Sequence, residues 1–84
     1  MDDFSLRLFL KYDIFMVLKA INKSIESCDL FVGPEVKICR ILFSNRKNIR
    51  CDIDITRCGN LYEVAHTVLD KLERWECSNV KVTN

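Results

Sequence analysis

Five cysteines, a single histidine and a cluster of cations near the middle of the chain are the residues of this 84-residue sequence whose types and spacing bear on chemistry. Cys28, Cys39, Cys51, Cys58 and Cys77 are odd in number and contain no C-x-x-C pair, which argues against a disulfide framework and for reduced thiols. Structural zinc takes four ligands at familiar spacings, and the lone His66 is poorly placed to complete such a set, so no metal site is expected. Cys39 and Cys51 fall inside apolar strand-like runs, where a free cysteine packs as a small hydrophobe.

His66 and Asp70 stand four residues apart, close to Tyr62, and on a helix they would meet as a hydrogen-bonded pair. Catalysis also asks for a nucleophile or a second acid or base in a water-excluding cleft, and the sequence sets no Ser or Cys beside this pair. With two glycines, Gly33 and Gly59, there is no glycine-rich loop to cradle a phosphate. The chain therefore reads as non-enzymatic, with no cofactor.

The cations are concentrated in "SNRKNIRCDID", residues 44–54, where Arg46, Lys47 and Arg50 precede Asp52 and Asp54. From Lys37 to Arg57 the local net charge is +4, whereas Tyr62 to Cys77 carries −2, although the whole chain is near neutral at +1. A basic tip of this kind can neutralise phosphates, which makes RNA binding through Arg46, Lys47 and Arg50 the alternative functional reading. Binding across a sheet face is disfavoured, because single-stranded RNA needs aromatic stacking platforms and Asp52 and Asp54 occupy the third strand instead.

These side chains must be positioned by elements that 84 residues can supply. A composition of 49% hydrophobic and 30% charged residues, with one Pro, suits a single globular domain over 1–84. Asp2, Asp3, Arg7 and Lys11 break the start of the chain where a secretory signal would need an unbroken apolar core, and no apolar run approaches the ~20 residues that span a bilayer. Together with the reduced thiols, this leads us to expect a cytoplasmic protein, host-cytoplasmic if the source is viral, that does not engage a membrane.

The alternation of Phe4, Leu6, Leu8, Leu10 and Tyr12 with Ser5, Arg7, Phe9 and Lys11 predicts a first strand. Asp13 then serves as the expected N-cap of a helix carrying Ile14, Val17, Leu18, Ile21 and Ile25 toward Cys28, with Gly33 and Pro34 ending the segment. "EVKICRILF" and "IRCDIDIT" predict a hairpin through residues 45–48. Asn60 with Glu63 opens a second helix whose stripe is Leu61, Val64, Ala65, Val68, Leu69, Leu72 and Trp75, and "VKVT" at 80–83 supplies a short fourth strand. The expected fold is α+β: a ferredoxin-like βαββαβ sandwich with a four-stranded antiparallel sheet and both helices on one face.

Such a sheet leaves one face bare. On it the sequence places Phe9 from the first strand and Asp52 from the third, while either Val36, Ile38, Arg40 and Leu42 or Lys37, Cys39, Ile41 and Phe43 of the second strand face out. The register with Phe43 opposite Ile49, which exposes Ile38, Arg40 and Leu42 and sets Arg40 opposite Asp52, is preferred because the other points Arg40 at the core. With strand order 4-1-3-2 the second strand would lie at the edge, apolar on both faces. Several large apolar residues there predict a covered surface, most simply a homodimer. The functional expectation is a small protein-binding module built around Phe9, Ile38, Arg40, Leu42 and Asp52, of the kind phages and viruses use to modulate or inhibit host proteins.

Overall fold

Asp2, not Asp13, opens the first helix. Its carboxylate accepts the backbone N–H of Ser5 at 2.7 Å and the Ser5 hydroxyl at 3.0 Å, satisfying donors that a helix start leaves orphaned. In the computed structural model, which describes residues 1–80, with the side chains of 46–48 and 78–80 outside that description, "FSLRLFLKY" is therefore helical and not a strand. The N-terminal helix runs as α1 (Asp3–Leu8), a π-helical segment (Phe9–Ile14) and α2 (Phe15–Ile21). Asp13 lies inside it, exposed.

The π segment explains how one helix serves this sequence. Leu6, Leu10, Ile14 and Leu18 are all buried, at a constant spacing of four. On a regular helix of 3.6 residues per turn, each step of four drifts by about 40°, and three steps would rotate Leu18 off the core. The wider π turns, with the Phe15 N–H reaching back to Leu10 C=O, cancel that drift. Leu6 and Leu10 fit either the strand or the helix reading, whereas Leu8 fits the strand reading alone and is exposed.

Three strands follow: β1 (Ile25–Val32), β2 (Lys37–Phe43) and β3 (Arg46–Asp54), then α3 (Leu61–Val80). They form one antiparallel sheet in the order β1-β2-β3. The fold is therefore αβββα, and the four-stranded ferredoxin-like arrangement is corrected in three places. The expected first strand is a helix. The second half of the expected first helix is β1, because a bulge between Ile25 and Ser27 puts buried Ile25 and Cys28 three apart and imitates helical spacing. The expected fourth strand begins inside α3 at Val80, and residues 81–83 lie outside the described residues.

With this order β2 is the central strand, not an edge, which accounts for its being apolar on both faces. Arg40 does stand opposite Asp52, but Phe43 pairs with Arg46 in place of Ile49. The connection is the two-residue turn Ser44–Asn45, and neither residue has positive φ. The turn is thus not one of the primed types whose twist matches the strands, and the ladder resumes at Leu42 and Arg50 only after a bulge. At the other hairpin, Gly33 N–H donates to Val36 C=O at 2.8 Å, and a Cβ on residue 33 would come within 2.8 Å of Val36 Cγ1, so any larger residue there has to displace the Val36 side chain.

One core unites the inner face of the sheet with both helices: Cys28, Leu30, Cys39, Ile41, Phe43, Cys51, Ile53 and Ile55 meet Leu6, Leu10, Ile14 and Leu18 from one side and Val64, Val68 and Leu72 from the other. The α3 stripe is the one expected, and so is its cap: Asn60 Oδ1 accepts Glu63 N–H at 2.9 Å, while Glu63 Oε1 reaches back to Gly59 N–H at 2.7 Å. Farther along α3, Trp75 stacks on Phe43 with ring centroids 5.1 Å apart. The N-terminal helix is fastened to β1 by Arg7, which donates to Leu30 C=O at 3.1 Å, and by Lys19, which donates to Ile25 C=O at 2.8 Å.

Two carboxylates make these ends acid-sensitive. The Asp2 carboxyl is held below its ordinary value of 3.8 by the Ser5 N–H and hydroxyl, and the Asp54 carboxyl by the hydroxyl and N–H of Thr56. A depressed folded-state value means stability that is complete above the ordinary carboxylate range and lost as pH falls through the folded values. Helix content followed by circular dichroism is therefore expected to hold from neutral pH to about pH 4 and to fall below it, and Asp2→Asn is expected to flatten that decline.

Candidate functional site

Both helices cover the same face of the sheet, and the opposite face carries three cross-strand rows: Ser27, Leu42 and Arg50; Asp29, Arg40 and Asp52; Phe31, Ile38 and Asp54. In the middle row the Arg40 guanidinium grips Asp52 with both ends, Nε to Oδ1 at 3.0 Å and Nη2 to Oδ2 at 3.3 Å. Arg50 Nε reaches the same carboxylate at 3.2 Å, and Arg40 lies 5.1 Å from the centroid of the Phe31 ring. The Asp52 carboxylate raises the Arg40 pKa above its ordinary value. Exposed ion pairs contribute little to stability, but a bidentate grip shared by two arginines fixes side-chain positions. Phe31 is exposed and Ile38 and Leu42 are half-buried, giving an apolar flank on each side of a charged centre.

Four of the five residues expected at the interface, Ile38, Arg40, Leu42 and Asp52, thus meet on this face. The fifth does not. Phe9 sits in the π segment on the covered side, half-buried against the core, because the strand that was to turn it outward is a helix. Phe31 takes its place at the sheet's outer surface. No sequence signal pointed to Phe31, since the bulge in β1 hid that strand.

Of the basic tip, Arg50 belongs to this same face and is bound to Asp52, so its charge is partly committed within the chain. Arg46 and Lys47 lie on the backbone of β3, and their side chains lie outside the described residues.

The residues weighed for catalysis are spread apart in function. Asp70 pairs with Arg74 at 3.4 Å, and His66 instead meets the Tyr62 ring at a centroid distance of 6.4 Å. A polar cleft of about 530 Å³ lies between the β1–β2 connection, the end of β3 and the start of α3. Several of its groups are already engaged: Asp54 accepts from Thr56, Glu63 accepts from Gly59 N–H, and Cys58 Sγ lies 3.6 Å from Thr67 Oγ1.

Three thiols lie inside the sheet. Cys28 Sγ and Cys39 Sγ are 3.4 Å apart on neighbouring strands, and Cys51 is buried beside them on the inner face. The hydrogen bond with Cys28, and then burial, push the Cys39 thiol far above its ordinary value, and burial pushes Cys51 up to about 11. Thiolate is the reactive form, so Cys39 and Cys51 are inert in the folded chain, and burial keeps reagents from Cys28. With a chromogenic disulfide reagent at pH 8, we expect Cys77 to react at once, Cys58 more slowly, and Cys28, Cys39 and Cys51 only when denaturant is added. Five equivalents reacting rapidly without denaturant would contradict the packing described.

Among the described residues no helix is long and apolar enough to cross a membrane, and no group of three or more His, Cys, Asp or Glu side chains is arranged to hold a metal ion. Compared with protein-family models, with curated proteins and with solved structures, the chain gives no match.

Proposed function

We propose that this chain is a non-enzymatic protein-binding module that works as a dimer and grips a partner protein through the outer face of its sheet. The observation that supports this reading is the arrangement of that face: exposed Phe31 and half-buried Ile38 and Leu42 flank an Arg40–Asp52–Arg50 network that is already fixed in place. An aromatic and an arginine, pre-ordered beside aliphatic side chains, are the residue types that carry binding energy at protein interfaces. Three strands about 4.8 Å apart, rising about 3.3 Å per residue, offer a face of only about 14 by 20 Å. That falls below the roughly 800 Å² per partner of a standard interface, so the partner extends past the sheet or binds transiently. A module of this size that modulates or inhibits a larger protein in a reducing compartment such as the cytoplasm fits both the surface and the five thiols.

The test is capture from a cell lysate of the source, with and without nuclease, using the wild-type chain, Leu42→Asp and Arg40→Glu. A stoichiometric protein that survives nuclease and is lost with both variants supports the reading. Retention by both variants would remove the sheet face from consideration. Recovery of nucleic acid that is lost on reversing Arg46 and Lys47 would establish the basic tip as the working surface instead.

A further inference from the structure

β3 has a strand on one side only, and its backbone decides what can lie on the other. Ile55 N–H donates to Lys37 C=O at 2.9 Å, and the register continues with Ile53 opposite Cys39, Asp52 opposite Arg40 and Cys51 opposite Ile41. Bonded pairs alternate along an antiparallel ladder, so Ile53 and Cys51 turn their N–H and C=O toward β2, while Arg50 and Asp52 turn theirs outward. The same alternation turns Leu30 C=O away from β2 at the β1 edge, and there Arg7 of the N-terminal helix donates to it at 3.1 Å. One edge of the sheet is therefore capped from within the chain, and among the described residues the β3 edge has no such cap.

We infer that β3 pairs antiparallel with β3 of a second copy, about a two-fold axis at Cys51, joining two three-stranded sheets into one of six strands. The pairing supplies the dimer of the proposed function and rests on that reading. Charge selects both the occupant and the register. Charged side chains along an edge ordinarily turn other strands away, because few incoming strands carry the matching signs. A reversed copy of β3 must bring outward-turned residues level with outward-turned residues, which leaves a choice of centre within the regular stretch from Arg50 to Asp54. Centred on Arg50, the two arginines face each other; centred on Asp52, the two aspartates do; centred on Ile53, Asp52 faces Asp54. Centred on Cys51, Arg50 stands opposite Asp52 of the second copy and Asp52 opposite its Arg50, and the two-fold makes each favourable pair twice.

The bond already present within the chain fits this arrangement. Arg50 Nε lies 3.2 Å from Asp52 Oδ2, and the Arg50 side chain is 58% exposed, with its remaining guanidinium N–H groups free to reach a second carboxylate. The two arginines and two aspartates then form a square of alternating sign, each Asp52 held in place by its own Arg40. On the inner side of the strand, Ile49 is 38% exposed, and the same register sets it level with Ile53 of the second copy. The outer face becomes continuous across both copies, about 29 by 20 Å, which is closer to the area a partner protein needs.

The test is amide hydrogen exchange of the full chain, read by NMR from about 50 µM to about 1 mM, with sedimentation equilibrium over the same range. Mass is expected to rise from 9.9 kDa toward twice that value, and the Arg50 and Asp52 amides to exchange more slowly as it does, by about tenfold or more. The Cys51 and Ile53 amides, bonded to β2, are expected to be slow at both ends of the range. Arg50→Glu and Asp52→Lys are each expected to weaken the dimer at least about tenfold with circular dichroism unchanged. Mixed in equal amounts, the two variants are expected to pair with each other, since the new glutamate meets the new lysine and the intact Asp52 meets the intact Arg50. Loss of folding cannot produce that outcome. Phe31→Asp, on the far strand, is expected to leave the dimer whole. A wild-type chain that stays monomeric overturns the inference, as does a dimer whose Arg50 and Asp52 amides exchange alike at both concentrations, a mixture that fails to pair, or dissociation by Phe31→Asp. None of these measurements involves the partner protein, so failure to capture one counts against the sheet face alone.

Discussion

Leu10→Ala is expected to destabilise the chain by about 3 kcal/mol, and Leu8→Ala by no more than about 0.5 kcal/mol, when both are measured by denaturant unfolding at concentrations too low for self-association. Leu10 is fully buried among Leu6, Ile14 and the inner face of the sheet, so truncation removes transfer energy and leaves a cavity. Leu8, two residues earlier, is exposed on the opposite side of the helix. For a domain of this size about 3 kcal/mol corresponds to a drop in midpoint temperature of about 12–24 °C, a large share of its whole stability. The contrast also separates the two structures this segment's pattern allows: a strand would bury Leu6, Leu8 and Leu10 together and make both substitutions costly. Equal losses for the two would mean that the N-terminal segment is extended after all.

The same logic on the central strand gives the second large effect. Ile41→Asp is expected to abolish folding, leaving a chain without cooperative unfolding or dispersed amide resonances, whereas Leu42→Asp is expected to stay folded. Ile41 is wholly buried in the middle of the sheet, flanked by Cys28 on β1 and Cys51 on β3, and offers no partner for a charge. An unpaired carboxylate there costs several kcal/mol, as much as a domain of 84 residues has to lose. Leu42 points the other way and stands opposite Arg50, which would meet the new carboxylate with its own charge. A folded Ile41→Asp would overturn the assignment of faces. A folded Leu42→Asp makes that variant a clean reporter on the outer face.

The elements most legible in the sequence were those whose pattern admits a single period. The α3 stripe from Leu61 to Trp75 and its Asn60–Glu63 cap form as read, because the apolar spacing and capping residues agree. The β2–β3 pattern allows two registers, both apolar on β2, and the one preferred because the other turns Arg40 into the core is the one that pairs Arg40 with Asp52. The first thirty residues were not legible, and the causes are local. Leucines and aromatics at nearly every second position satisfy an alternation template, while the period of four that the helix uses requires a π segment no propensity announces. In β1, one bulge converted a period of two into a step of three. Reading a strand there also concealed the exposure of Phe4, Leu8 and Tyr12, because in a strand those residues point into the core.

Each helix rests chiefly on the strand next to it in sequence, the N-terminal helix on β1 and α3 on β3, and each strand pairs with its immediate neighbour. A split βαβ sheet must join its first strand to segments far along the chain, and searching for those distant partners is slow. Here nearly every favourable encounter lies one element away, so little loop-closure entropy is spent before contacts form, and refolding is expected within about milliseconds. During synthesis the N-terminal helix can settle on the first hairpin before α3 has left the ribosome.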